Sequence, residues 1–279
     1  MSLRTVLVTG AGRGVGRATV EAFLAHGWNA VAGVRDVERA RAEYAPHPQL
    51  SIVHLDVTDR AAIAGGVAAA HDVAGEALDC LVNNAGYAVL GAAEDVDMDV
   101  VRQMFETNLF GAMEVTQAVL PAMREAARGI IINVSSIGAQ VTNPLLGMYH
   151  GSKYAMCAWS EAMRVELRPF GIRIAMIEPG MIDTDFPKAT TATGAVARGE
   201  GPYAELFADL RTGFRAWREQ HPTSGADVAA IILGVAADDG APFRVPVGED
   251  AIAMAAARKR LGDEEFHDWM ADFLGVRWE

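Results

Sequence analysis

Val6-Leu7-Val8-Thr9-Gly10-Ala11-Gly12-Arg13-Gly14-Val15-Gly16 is the stretch that decides the fold. Its first three residues form a short, β-rich apolar run of the kind found in a central strand buried on both faces. The glycines from Gly10 to Gly16 make a turn. Ala18, Val20, Ala22, Phe23 and Leu24 then carry a helix that stops at Gly27. Strand, glycine-rich turn and helix in this order is the context in which such a motif holds a dinucleotide. Glycine lets the backbone approach a pyrophosphate, and a helix N-terminus offers free N–H groups and a positive dipole. An ordinary tight turn is the plainer alternative.

Outward from that motif, strand-like runs recur at Asn29–Val34, Ile52–Leu55, Leu78–Val82, Gly129–Val134, Ile172–Ile177 and Phe243–Gly248, separated by helical stretches. The alternation predicts an α/β fold. Pro246 places the last strand at an edge, because proline cannot donate to a ladder. The 279 residues are read as one domain, 1–279, long enough to bury most of its core. Hydrophobic residues make up 51% and aromatic residues only 7%, so the interior is expected to be aliphatic. A net charge of −12 repels nucleic acid and anionic membrane, so neither is expected as a partner. An anionic cofactor stays compatible, since a local basic pocket acts within a Debye length of about 8 Å. Cys80 and Cys157 sit in apolar segments without metal-ligand spacing and read as buried, reduced thiols. With no signal pattern and no apolar run of about 18 residues, a cytoplasmic location is expected.

The chemistry is carried by Tyr149-His150-Gly151-Ser152-Lys153, with Ser136 thirteen positions ahead of Tyr149. If this segment opens a helix, Tyr149 and Lys153 share a face one turn apart. A phenol with a pKa of about 10 is a poor proton shuttle at neutral pH, and a nearby ammonium would lower that value. A serine hydroxyl could share the same substrate oxygen. This is the outline of a carbonyl–alcohol site. His150 points about 100° away from Tyr149 on a helix and is read as surface or supporting.

The T-G-x-x-x-G-x-G spacing at residues 9–16, together with Tyr149-x-x-x-Lys153, resembles the short-chain dehydrogenase/reductase family in its single-domain branch. The resemblance covers roughly residues 5–248 and implies a Rossmann-type, doubly wound parallel sheet of about seven strands with helices on both faces. It selects Ser136 over Ser135 by its distance from Tyr149. It assigns Tyr149 to proton transfer, Lys153 to lowering the tyrosine pKa and holding the nicotinamide ribose, and Asn108 to a helix kink and a proton relay. It also makes Gly10, Gly12, Arg13, Gly14, Val15 and Gly16 the cofactor turn, and gives Asp56 and Val57 the adenine edge. Asn83, Ala85 and Gly86 come from an Asn-Asn-Ala-Gly signature. Pro179, Gly180, Ile182 and Thr184 belong to a Pro-Gly-x-x-x-Thr segment beside the nicotinamide. No metal is implied.

Cofactor choice is read from the end of the second strand. The family's acid for the ribose of NAD(H) generally stands where this chain has Val34, and Arg35 follows. With Arg13, Arg35 offers two guanidiniums to a 2′-phosphate, which favours NADP(H). Asp36 keeps NAD(H) as the alternative. The implied reaction is NADP(H)-dependent interconversion of a ketone or aldehyde with an alcohol by hydride transfer. An NAD-dependent alcohol dehydrogenase and a non-catalytic NADP(H)-binding sensor are the competing readings.

Residues of about 185–222 break the strand–helix rhythm and read as a lid over the substrate. About thirty residues after the last strand, 249–279, form a C-terminal helical extension. Tetrameric relatives often end just past that strand, so the extension favours a homodimer through the long helices, with a tetramer or monomer left open. Leu145, Leu146, Met148, Met181 and Phe186 point to a small hydrophobic carbonyl or alcohol substrate. Features after Pro179 resemble the carbonyl reductases grouped around 17β-hydroxysteroid dehydrogenase.

Overall fold

The computed structural model describes residues 3–183 and 190–276. Seven strands, β1 (Thr5–Thr9), β2 (Asn29–Val34), β3 (Leu50–His54), β4 (Cys80–Asn83), β5 (Gly129–Val134), β6 (Ile172–Pro179) and β7 (Arg244–Val247), form one sheet. Every pairing is parallel, and the spatial order is β7-β6-β5-β4-β1-β2-β3. The order reverses between β1 and β4, where Val6 pairs with Cys80 and Val8 with Val82. β7, which carries Pro246, lies at one edge as its sequence requires.

Alternation along the strands divides the core into two layers. Val6 and Val8 face one side with Ala30, Ala32, Ile130 and Ile132, against helices α1 (Gly14–Ala25) and, further along the chain, α8 (Gly225–Ala237). Leu7, Val31, Leu81 and Ile131 face the other side, covered by α3 (Arg60–Ala74), α5 (Gly111–Ala126) and α6 (Gly147–Leu167). The short α2 (Val37–Glu43) follows β2 and is capped by Asp36. α4 (Met98–Phe105) runs into α5 through one widened turn, Glu106–Phe110, with the i→i+5 bonding of a π-bulge. Asn108 sits in that turn, so the helix is disturbed where the family resemblance implies a kink.

A third cluster lies beyond the sheet. α7 (Ala204–Gln220), α9 (Glu249–Arg260) and α10 (Asp263–Leu274) bury Leu210, Met254, Phe266, Met270 and Leu274 against Ile137, Val141 and Leu145. α7 and α10 approach so closely that a Cβ on Gly213 would strike the Leu274 carbonyl. Among the described residues no helix is long and apolar enough to cross a membrane. None of their His, Cys, Asp and Glu side chains group in a way that could hold a metal ion. Cys80 and Cys157 are buried free thiols.

At the start of α1 a Cβ on Gly16 would collide with the Asn84 amide and stand 2.5 Å from the Gly10 carbonyl oxygen. Gly16→Ala is therefore expected to cost about 1–3 kcal/mol. Urea unfolding at neutral pH measures it. An unchanged midpoint would mean the glycine turn is looser than its packing.

Candidate active site

A cleft of about 830 Å³ opens at the C-terminal ends of β1, β4, β5 and β6, on the side where the strand order reverses. Its floor is the glycine turn. Gly10 (φ +65°) and Gly14 (φ +55°) both occupy the left-handed region that favours glycine. A Cβ on Gly10 would come 2.8 Å from the Cα of Ala85, so this glycine serves close packing. Gly12 differs, because the nearest atom to its Cβ position is Val34 Cγ1 at 3.9 Å and it faces open cleft. The first turn of α1 has no side-chain cap, which leaves its N–H groups for a ligand.

Arg13 and Arg35 stand exposed at the rim, and neither joins an ion pair among the described residues. Arg39 joins them on the wall, bonded through Nε to Glu43 at 2.7 Å. Asp36 also borders the cleft, but its Oδ1 accepts from the Arg39 amide at 3.0 Å and caps α2. Asp56 and Val57 line the same end, and Asp56 Oδ1 accepts from the Thr58 amide at 3.0 Å. The open Gly12, the uncapped helix and the basic rim fit a phosphate-bearing dinucleotide.

Deeper in, Ala85 and Gly86 line the cleft, whereas Asn83 does not. Asn83 is the last residue of β4, and its side chain turns into the core, donating to Thr116 Oγ1 and Asn133 Oδ1 at 2.9 Å each. The neighbour takes its place on the wall. Asn84 Nδ2 donates to the Thr9 and Gly10 carbonyls at 2.9 and 3.2 Å. Thr9 Oγ1 in turn accepts from the Asn84 and Ala85 amides. Asn84 belongs to the Asn-Asn-Ala-Gly signature but is not among the site residues expected from sequence. The alternation of side chains past a strand end is the signal that could have found it. Tyr87 and Arg39 also line the cleft, and no sequence pattern points to either.

The inner end holds Ser136, Tyr149, Lys153, Pro179, Gly180 and Ile182. α6 begins at Gly147, so Tyr149 and Lys153 fall one turn apart on its buried face, 8% and 4% exposed. The Ser136 hydroxyl stands beside the Tyr149 phenol on the cleft wall, and its Oγ donates to the Pro179 carbonyl at 3.5 Å. Burial pushes the phenol up to about 12, with the Ser136 hydroxyl opposing it. Burial also pushes the Lys153 ammonium down to about 8. The expected lowering of the phenol by Lys153 does not appear: burial governs both groups, and only Ser136 opposes it at the phenol. Lys153 Nζ lies 6.0 Å from the Tyr149 ring centroid and donates to the Val134 carbonyl at 3.0 Å.

Ser136 ends the turn after β5, and its Oγ accepts from the Gly138 amide at 3.0 Å. Ser135 is buried, with its amide on the Ile177 carbonyl and its Oγ without a partner among the described residues. Asn108 stands behind the wall. Its amide nitrogen donates to the Tyr87 carbonyl (2.9 Å) and Ser152 Oγ (3.2 Å), and its oxygen accepts from the Tyr87 amide (3.0 Å). That side chain fastens the turn after β4 to α6.

His150 is not at the surface. It is buried behind the serine turn, where Nδ1 bonds the Gly138 carbonyl at 3.0 Å and Nε2 accepts from the Asn143 amide at 3.3 Å. Both partners are satisfied only by a neutral ring protonated on Nδ1. Burial pushes its pKa down to about 4. Beyond it, Leu145 takes φ +63°, a conformation costing a non-glycine residue about 1–2 kcal/mol, and its carbonyl accepts from the Gly91 amide. Thr184 and Phe186 lie outside the described residues.

Comparison with known proteins agrees with this geometry. Residues 4–194 match the family model described as short chain dehydrogenase. The chain is 33% identical over 282 residues to a 3-ketodihydrosphingosine reductase of Bacteroides thetaiotaomicron, covering 99% of this chain and 100% of that protein. A short-chain dehydrogenase from Streptomyces avermitilis superposes with a TM-score of 0.84 at 32% identity over the whole of both chains. One from Burkholderia cenocepacia, solved in complex with NADP, superposes at 0.74 with 26% identity over 98% of each chain. This chain belongs to the short-chain dehydrogenase/reductase family and is an oxidoreductase acting on CH–OH groups with a nicotinamide dinucleotide as acceptor.

Proposed function

We propose that this chain is an NADP(H)-dependent reductase of a hydrophobic ketone, working through Ser136, Tyr149 and Lys153. The observation that carries the reading is the convergence of Ser136, Tyr149 and Lys153 at the inner end of a cleft whose outer rim is basic. When bound, the nicotinamide supplies or accepts the hydride. The protein handles the oxygen. A phenol held near 12 stays protonated at neutral pH, so Tyr149 is ready to give its proton to a carbonyl oxygen as that oxygen gains charge. Ser136 shares that oxygen and orients it. Lys153, with its pKa near 8, is mostly charged at pH 7 and offers its remaining donors to the cofactor ribose. Asn108 supports this group by holding Tyr87 and Ser152 in place.

NADP(H) is favoured over NAD(H) for a physical reason. A 2′-phosphate needs cations, and Arg13 and Arg35 are at the rim. The ribose of NAD(H) needs an acidic acceptor, and Asp36 Oδ1 already accepts from the Arg39 amide in capping α2. The NADP in the Burkholderia relative is consistent with this choice. NAD(H) remains the second reading because Asp36 still borders the cleft.

An apolar substrate is proposed from the hydrophobic cluster that includes Ile137, next to Ser136. Val141, Leu145, Met181, Leu206 and Phe207 share that cluster. The full-length likeness to a 3-ketodihydrosphingosine reductase supports an aliphatic ketone over the steroid-like alternative. In this reading the segment up to residue 222 and the C-terminal helices cover the substrate, and the molecule dimerises through α5 and α6.

Tyr149→Phe is expected to lower kcat/KM for ketone reduction by about 10²- to 10⁴-fold while leaving NADPH binding intact. Near-normal turnover would remove Tyr149 from the reaction. Arg35→Asp should shift the kcat/KM ratio of NADPH to NADH by at least about tenfold toward NADH, since one charge-assisted contact to phosphate is worth about 1.5–3 kcal/mol. A ratio that does not move would favour NAD(H). His150 supplies a pH test of the serine turn. Its folded pKa of about 4 lies below the ordinary 6.5, so the unfolded chain takes up the proton first as pH falls. Stability should decline from about pH 6.5 to about pH 4, by up to about 3 kcal/mol. His150→Gln should lack this decline when urea unfolding of the two proteins is compared at pH 7 and pH 4.5.

A further inference from the structure

The helices that follow β7 are tied to the inner end of the cleft by one buried carboxylate. Asp250, near the start of α9, is 4% exposed. Its Oδ2 accepts a hydrogen bond from the Met181 amide at 2.6 Å. The backbone on both sides is shaped to admit it. A Cβ on Gly180 would run into the carboxylate, and one on Gly248, itself at φ +102°, would stand 2.6 Å from Oδ1. Two further bonds close the arrangement: the Gly180 amide donates to the Val247 carbonyl at 3.0 Å, and Ile182 pairs with Thr223. Beside them His221, at the end of α7, bonds Glu249 Oε2 through Nδ1 at 2.6 Å.

Asp250 is absent from the wall of the cleft, yet it fixes residues that form that wall, Gly180 and Ile182 on either side of Met181. A buried carboxylate is costly unless hydrogen-bonded, and this one accepts from a main-chain amide of the cleft segment. A neutral or apolar side chain could fill the same space at lower cost if packing were its only task. We infer that Asp250 is a positioning residue for the nicotinamide end of the site, so that the C-terminal helices are a working part of that site. The inference rests on the reading that residues 179–182 border the nicotinamide.

The test compares two ligands on the full chain. NADPH occupies the whole cleft, and adenosine 2′,5′-bisphosphate carries the adenosine and 2′-phosphate without the nicotinamide. Asp250→Ala is expected to weaken NADPH about 10- to 100-fold, the usual worth of hydrogen bonds to a charged group, and to leave the bisphosphate within about twofold. Asp250→Asn retains an acceptor oxygen and should recover most of the loss. Glu249→Gln, one residue away, should change neither ligand. Equal weakening of both ligands by Asp250→Ala, or no weakening of NADPH, overturns the inference. If the alanine variant does not fold, Asp250→Glu, which moves the carboxylate by one methylene, takes its place: selective loss of NADPH supports the inference, and equal or absent loss overturns it. A wild-type chain that binds NADPH no more tightly than the bisphosphate refutes the nicotinamide placement itself, whatever the variants do. If the chain prefers NAD(H), NADH and ADP-ribose replace the pair.

Discussion

A parallel sheet opens a crevice only where two adjacent strands send their chains away in opposite directions, and the crevice keeps its shape only if the strand ends are held at a fixed separation. Here Thr9 and Asn84 hold them. The threonine hydroxyl accepts two amides from the turn after β4, and the asparagine returns two bonds to the carbonyls that begin the glycine turn. These polar groups would otherwise be left unpaired at the edge of the core, where each unmade bond costs about 1–3 kcal/mol. With the ends fixed, Gly10 packs against Ala85 and Gly16 against Asn84, while the Cβ position of Gly12 meets only Val34 Cγ1, at 3.9 Å. Close packing of those two glycines leaves the Gly12 backbone lining the cleft.

The electrostatics are local. The chain carries a net charge of −12, yet the mouth of the cleft gathers Arg13, Arg35 and Arg39 beside an uncapped helix N-terminus. Screening makes this possible, since charges more than about 8 Å away are largely damped at physiological salt. At the other end the polarity is governed by desolvation. Tyr149 is pushed up and Lys153 down, both toward their neutral forms. The two ends therefore differ in kind: one gathers charge exposed to water, the other keeps its titratable groups out of it.

Most of the framework is readable from sequence because it repeats on a short period. The strands are apolar runs, the helices between them are bounded by Asp59, Ser224 and Gly75 as caps, and the glycine spacing fixes the nucleotide end. Reading fails where one residue of offset or one distant partner decides the outcome. Asn83 and Asn84 are equivalent as letters, but β4 ends between them and their side chains part ways. His150 looks like a surface neighbour of Tyr149 until the turn after Ser136 folds over it and takes both ring nitrogens. The expected depression of the phenol considers a charge at one turn's distance and leaves out burial, which no local pattern reveals. Asp250 lies sixty-nine positions from Met181, and nothing in either segment announces the other.

Buried charge marks the seam between the sheet and the helices added after it. Glu178, fully buried at the end of β6, is held by Arg244 of β7 at 2.7 Å and by Gln140 from the turn that follows Ser136. Asp250 reaches the same strand end from α9 three residues further on. Both acids are pushed up by burial, so each sits where solvent would have served it better. Replacing such groups by apolar ones is often neutral or stabilising, and the apolar cluster of α7, α9 and α10 lies alongside to supply that packing. Apolar contacts tolerate sliding by an ångström, whereas a carboxylate bonded to a particular amide does not. The concentration of directional bonds at one strand end, within a mostly aliphatic interior, is what a site needs if its backbone must be placed more accurately than hydrophobic packing alone can achieve.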